Sequence, residues 1–171
     1  MKKTFAAALA GIFLAVVLIV PAFALRSGAQ VTAAMDLLIK SELETALSLL
    51  QAVYAKHQKG EMSLEKAKDL AASLLRELRY GTDGYFWADT LDGVNVVLHG
   101  QKDTEGRNRI ADKDANGMLY VKAFLEKGKA GGGFVEYQFA KLGETQRHPK
   151  RSYVKLFEPF GWVIGTGYYL D

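Results

Sequence analysis

The chain has 171 residues, 49% of them hydrophobic and 24% charged, and its formal net charge of +3 falls to +1 without the first 24 residues, which hold Lys2 and Lys3 and no acid. That length and composition fit one globular domain with a real core, and the charge lacks the clustered basic face of a nucleic-acid footprint, so no nucleic-acid partner is expected. There is no cysteine, which excludes disulfides, thiol catalysis and cysteine metal sites.

The opening segment MKKTFAAALAGIFLAVVLIVPAFALR has two lysines and then no charge across residues 4–25. Such a segment targets a membrane, and two fates fit it. The apolar run, Pro21 and Ala22-Phe23-Ala24 read as a signal peptide with a small-x-small cleavage site. Residues 4–25 equally reach the roughly 20 apolar residues of a membrane anchor with a cytoplasmic N-terminus. Either fate puts the remainder outside the cytoplasm, in the periplasm or secreted, or held at the inner membrane by the N-terminal segment. The expected organisation is therefore a signal peptide or anchor over 1–25 and one domain over 26–171, with helices in 30–80 and a sheet in 84–171.

Residues 31–57 contain no Gly or Pro, and Met35, Ile39, Leu43, Leu47, Leu50 and Tyr54 recur at three- and four-residue steps opposite Asp36, Lys40, Glu44 and Lys56. This predicts one long amphipathic helix, a scaffold element that is also long enough to offer a homodimer seam. Lys59-Gly60 ends it. Ser63 is a suitable N-cap for a second helix whose apolar stripe is Leu64, Ala67, Leu70, Leu74 and Leu78, running up to Tyr80-Gly81.

After Gly81 the period changes. GYFWADT and NVVLHG flank Leu91-Asp92-Gly93, and an Asp-Gly pair between two apolar runs predicts a hairpin. The next stretch, QKDTEGRNRIADKDANG, is too hydrophilic for core. It leads into a short helix over 118–127, stopped by Gly128. Three further strands follow in GGFVEYQFA, KRSYVKLFE and GWVIGTGYYL. Segregated helices and an antiparallel meander predict an α+β domain with one sheet, the long helices on one face and the polar segment with its short helix over the other. A pocket between sheet and lid follows. Alternation in GYFWADT sends Tyr85 and Trp87 to one face and Phe86 to the other, so both faces must be covered.

The chemical motifs are weak one by one. DKDANG begins like a calcium loop, but its twelfth position is Ala123 and Glu126 is out of register, so an Asx turn capping the short helix is expected instead. GKAGGGF lacks the Gly-Lys-Ser/Thr of a phosphate loop, and GTG at 165–167 lacks a third glycine and a following helix. Its glycines more simply let the last strand pass close to another element. His57, His99 and His148 have no metal-ligand spacing, and His57 and His148 sit in exposed contexts. His99 ends an apolar strand on the face of Val97 and Asn95. With Tyr85, Trp87, Tyr137, Tyr153 and Lys155 it outlines an aromatic box with one cation, suited to a small anion such as a carboxylate. The same residues also fit as core aromatics with Lys155 reaching solvent. No nucleophile-base pair or carboxylate dyad is present, so neither catalysis nor a cofactor is expected.

Taken in order, LRYGTDGYFWADTLDGVNVVLHG, DANGMLYVKAF, GGGFVEYQF and HPKRSYVKLFEPFGWVIGTGYYLD resemble the single Cache sensor domain, type 2, of bacterial chemoreceptors and sensor kinases. The match runs over about residues 43–171, and its most specific pieces are DGYFW, KRSYVKLF and GWVIGTG. The resemblance implies a long N-terminal helix behind a PAS-like five-stranded antiparallel sheet, and a small-molecule site on the opposite face for short organic acids such as acetate, propionate, pyruvate or lactate. Carried over by position, it offers Tyr85, Trp87, His99, Lys150, Tyr153 and Lys155. Strand alternation separates Tyr153 and Lys155 from Lys150 unless Lys150 precedes the strand proper. Gly100 stands where family members often carry Pro. A receptor also needs an output domain after the sensor, so a sensor-only piece and a stand-alone exported protein with an unidentified signalling partner both fit. The alternative from a different class is an interaction or structural protein without a small-molecule ligand.

Overall fold

A computed structural model describes the backbone of residues 10–171 and the side chains from Gly28 onward. The signal peptide or anchor expected over 1–25 lies outside the residues whose side chains are described. Among the described residues no helix is long and apolar enough to cross a membrane. The chain divides into two compact units, Met1–Leu37 and Leu38–Asp171, and the sheet with its covering layers belongs to the second.

The elements are α1 (Ala10–Gln58), α2 (Leu64–Glu77), β1 (Arg79–Tyr80), β2 (Gly84–Thr90), β3 (Asn95–Leu98), α3 (Tyr120–Lys129), β4 (Gly133–Ala140), β5 (Arg147–Phe157) and β6 (Trp162–Tyr169). The strands form one antiparallel sheet in the order β1-β2-β6-β5-β4, with β3 also paired to β2. This is the expected α+β architecture, with one small addition. The second helix stops at Glu77, Leu78 turns extended, and Arg79 and Tyr80 pair with Tyr85 and Gly84 as the two-residue β1.

One face of the sheet is sealed by helices. Ile39, Leu43, Ala46, Leu47, Leu50 and Val53 form the buried stripe of α1, at the three- and four-residue spacing that keeps side chains on one side of a helix. Ser63 caps α2 by accepting from the Lys66 N–H at 3.3 Å. The residues α2 buries are Ala67, Ala71 and Leu75, whereas Leu70 of the expected stripe is exposed and Leu64, Leu74 and Leu78 pack at the margin. Two alanines four residues apart let the helix axis come close to the sheet, which rotates the bulkier leucines away from the contact. Against these helices lie Phe86, Ala88, Val97, Tyr153, Phe157, Trp162 and Ile164.

The opposite face carries Tyr85, Trp87, Leu98, Val135, Tyr137, Val154 and Val163, covered by Tyr120, Val121, Phe124 and Leu125 of α3. The alternation read from GYFWADT therefore holds, with Phe86 toward the helices and Tyr85 and Trp87 toward the lid. The Asp92-Gly93 hairpin also forms, with Thr90 N–H donating to Val94 O at 2.8 Å and Gly93 at φ 87°, a left-handed conformation that glycine adopts without strain.

The lid corrects two expectations. Gly128 does not end α3; it sits in its last turn, where an added Cβ would stand 2.7 Å from Val163 Cγ2, so the glycine lets the helix seat directly on β6. Asp114 forms an Asx turn by accepting from the Asn116 and Met118 N–H groups at 2.8 and 2.9 Å, yet it does not cap α3, whose N-cap is Leu119. Its second oxygen instead accepts from the Gln138 N–H of β4 at 3.0 Å, stitching the polar segment to the sheet's last strand.

Candidate functional site

Between sheet and lid lies a cavity lined by Tyr85, Trp87, Leu98, Arg109, Tyr120, Phe124, Tyr137 and Phe139. The space open to the centre of a water-sized sphere is about 10 Å³, room for about one water. The packing is aromatic: Tyr120 stacks on Tyr137 with ring centroids 5.3 Å apart and planes 8° from parallel, and Phe124 meets Trp87 at 5.3 Å and Tyr137 at 5.0 Å. Such walls exclude water and raise the strength of any charge interaction inside them.

Lys150 supplies that charge. It is 1% exposed, and its Nζ donates to the Tyr85 hydroxyl at 2.6 Å. The same Nζ lies 4.1, 4.8, 5.4 and 5.4 Å from the ring centroids of Tyr85, Tyr169, Trp87 and Phe139. Three of those four rings line the cavity, so the ammonium stands directly behind its wall. Among the described residues no carboxylate pairs with it, and burial pulls its pKa down to about 7. A cation can be stabilised by ring faces, but an ammonium held dry without a counterion is costly. The Trp87 Nε1–H is also buried and has no partner.

A second cation reaches the cavity from the lid. Arg109, 2% exposed, donates from Nε and Nη2 to Asp89, with contacts of 3.1, 2.8 and 2.7 Å, and Asn95 Nδ2 donates to the same carboxylate at 3.0 Å. Burial opposes the Arg109 charge, and the adjacent Asp89 carboxylate more than restores it, raising the guanidinium pKa. This pair is neutral as a unit and clamps the polar segment to β2. Of the two buried cations at the cavity, only Lys150 is uncompensated.

The sequence-derived residues separate into two groups. Tyr85, Trp87, Tyr137 and Lys150 are brought together on the lid face, with the Tyr137 hydroxyl 3.2 Å from Ser152 Oγ and its pKa raised by complete burial. His99 stands at the rim, just past the end of β3, its ring 5.7 Å from that of Tyr85 and its Nδ1 against Arg79. Partial burial, together with the Arg79 charge, lowers its pKa. Tyr153 and Lys155 are corrections, because they lie on the helix face. Tyr153 packs on Phe134 at 4.9 Å in the helix-side core, and Lys155 Nζ donates to Glu44 of α1 at 2.7 Å. The reason is the alternation of β5. Lys150 lies well inside the strand rather than before it, so Lys150, Ser152 and Val154 face the lid while Tyr153 and Lys155 face away.

Several lining residues were missed. Arg109 sits in a stretch whose mean hydrophilicity hides two buried side chains, its own and that of Asp114, although Asp89, alternating with Tyr85 and Trp87 toward the covered face, signals that a cation must come from somewhere. Phe139 follows from Tyr137 by the same period of two. Phe124 belongs to the short helix expected over this face, but the sequence pattern does not mark which of the helix residues turn toward the sheet. The glycines of the last strand behave as expected, since a Cβ at Gly165 would stand 2.3 Å from Trp87 Cζ2.

This fold and this cationic, aromatic-walled cavity are those of a sensor-type domain, and the chain belongs to the single Cache domain 2 family, whose model matches residues 31–171. It is a family of extracytoplasmic sensor domains rather than catalytic ones. The chain is 36% identical over 126 residues to the sensor histidine kinase MctS of Rhizobium johnstonii, a match covering 74% of this chain and 27% of that protein. It is 32% identical over 132 residues to the methyl-accepting chemotaxis protein McpP of Pseudomonas putida, covering 75% and 24%. It thus spans about a quarter of the length of these relatives. Among solved structures it is similar to the periplasmic sensor domain of a chemotaxis protein, with TM-score 0.75, 34% identity and coverage of 77% of this chain and 92% of that one. A Cache chemosensory domain described as a structural basis for carboxylic acid recognition superposes with TM-score 0.80, 29% identity and coverage of 84% and 98%.

Proposed function

We propose that this chain is the extracytoplasmic sensing module for a short organic acid such as acetate, propionate, pyruvate or lactate, and that the acid binds as its anion at Lys150. The observation that carries this reading is the buried, uncompensated ammonium behind the cavity wall, 5.4 Å from the ring of Trp87, whose buried N–H has no partner. A carboxylate supplies what both groups lack, a negative charge with several acceptor lone pairs. The carboxylic acid recognition described for the similar Cache domain supports the same choice. Because the cavity holds about one water, ligand entry requires the polar segment of the lid, residues 101–117, and the Tyr85 ring to shift while α3 stays seated on the sheet, and the ligand favours whichever arrangement it contacts more strongly. Residues 1–25 would deliver or anchor the module outside the cytoplasm, and its output would serve chemotaxis or kinase signalling through a partner.

The test is calorimetric titration of the chain with the four acids, repeated with Lys150→Met. Binding of at least one acid by the wild type, and its loss in the variant, is the expected result. Silence of the wild type across the panel refutes the proposal. It would favour the competing reading, an interaction protein with no small-molecule ligand, for which the small cavity is the specific argument.

A further inference from the structure

We propose that Phe124 is the specificity-determining residue of the cavity, the end wall that limits the length of the ligand's apolar tail. This rests on Lys150 as the anion-binding pole. Lys150 Nζ neighbours Tyr85, Trp87, Phe139 and Tyr169, whereas the Phe124 ring neighbours Trp87, Tyr120 and Tyr137. Trp87 is the ring that both groups touch. A carboxylate held at Lys150 therefore directs its tail past Trp87 toward Phe124, whose ring meets those of Tyr120 and Tyr137 in T-shaped contacts.

A wall limits length only if it cannot retreat, and two contacts hold this one in place. Gly128, one helical turn beyond Phe124, already brings α3 against β6 with no space left for a Cβ beside Val163. Near the start of the helix, Tyr120 is stacked on Tyr137 of β4. Phe124 lies between these two fixed points on the buried side, with Val121 and Leu125. The helix is thus pinned at both ends, and the ring is 2% exposed. Charge adds a second filter. Arg109 already gives Nε and Nη2 to Asp89, so the cavity has no uncompensated second cation for a second carboxylate.

The size of the effect follows from transfer energetics. Where room exists, each methylene buried tightens binding about fourfold; where the wall is reached, an added methylene must displace packed rings and affinity falls instead. Shortening Phe124 converts the second case into the first.

The experiment titrates acetate, propionate, butyrate and pentanoate into the wild type, Phe124→Leu and Phe124→Ala, with Val121→Ala as a control. Val121 is fully buried on α3 but does not line the cavity. Melting curves verify folding, and Phe124→Leu serves if the alanine variant unfolds. The expected result is a wild-type optimum at two or three carbons. In a folded Phe124 variant the ratio of pentanoate to acetate affinity rises at least about tenfold, which is less than two full methylene steps, while the control keeps the wild-type order. If the variants bind the short acids with an unchanged ratio, or the control shifts as much, Phe124 is not the wall and the inference fails while the carboxylate reading survives. Wild-type silence toward every acid overturns both.

Discussion

The affinity of the site for organic acids should fall steeply as pH rises through neutrality. The perturbation is titration of Lys150, whose pKa in the empty domain is about 7 because burial disfavours the charged amine. A carboxylate binds the ammonium, so binding takes up a proton whenever the amine is neutral beforehand. The competent fraction is about nine-tenths at pH 6, one-half at pH 7 and one-hundredth at pH 9, and apparent affinity scales with that fraction. The dissociation constant should therefore weaken about 90-fold between pH 6 and pH 9, some 2.7 kcal/mol. The ligand itself contributes nothing over this range, since carboxylic acids titrate near pH 4. Nor do the phenols around Lys150, because burial raises Tyr85 and pushes Tyr169 up to about 12. The Arg109–Asp89 pair at the cavity is compensated internally. His99, at the rim, is the remaining titrating neighbour, and its lowered pKa confines its charge to the acid end. Calorimetry at pH 6, 7, 8 and 9, in buffers of differing ionisation enthalpy, reads both the affinity and the protons taken up. A His99→Asn variant should keep the slope above pH 7. Affinity that stays flat from pH 6 to pH 9, with no proton uptake, would refute the reasoning.

Other consequences concern stability and the second face. Lys150→Met should stabilise the empty domain by about 1–4 kcal/mol at pH 7, since a buried amine without a counterion is replaced by an apolar chain of similar length; thermal denaturation should show a rise of roughly 2–4 °C for each kcal/mol. The folded pKa of Lys150 lies below its unfolded value, so wild-type stability should increase as pH rises from about 7 to 9, and the methionine variant should lose that increase. Asp89→Ala strands the Arg109 guanidinium in the lid and should cost about 3–5 kcal/mol in chemical denaturation. Lys155→Ala removes only a part-exposed pair with Glu44, so stability should change by less than about 1 kcal/mol and acid affinity should stay at the wild-type value.

The alternation of Tyr85, Phe86 and Trp87 was legible because a strand has a period of two and both of its parities are apolar here. The face taken by Lys150 was not: alternation separates it from Tyr153 and Lys155, but with aromatic residues on both sides of the sheet it does not say which parity looks to the lid. Pro149 argues against a strand interior, yet β5 begins before it, and the Pro149 carbonyl accepts from the Leu170 N–H at 2.9 Å. Lys150 therefore lies within the strand, and its packing against Tyr85 fixes the parity that sends Tyr153 and Lys155 to the helix face. In α2 the obstacle was different: leucines dominate the hydrophobic pattern, but closeness of approach is set by Ala67 and Ala71, which carry little hydrophobic signal of their own. The enclosing role of Arg109 belongs to tertiary structure, because a lid residue acquires its buried partner only when the polar segment folds back over β2.

Asp114 does more than shape a turn. β4 is the terminal strand of the sheet, and an uncovered terminal strand is a template on which another chain can build. By occupying the Gln138 amide, the Asp114 carboxylate interrupts that template partway along its length. Cover for the cavity and protection of the sheet's margin thus reside in one stretch of chain. A lid loosened enough to admit cargo also bares an adhesive border, which puts a colloidal limit on how freely such a domain can open.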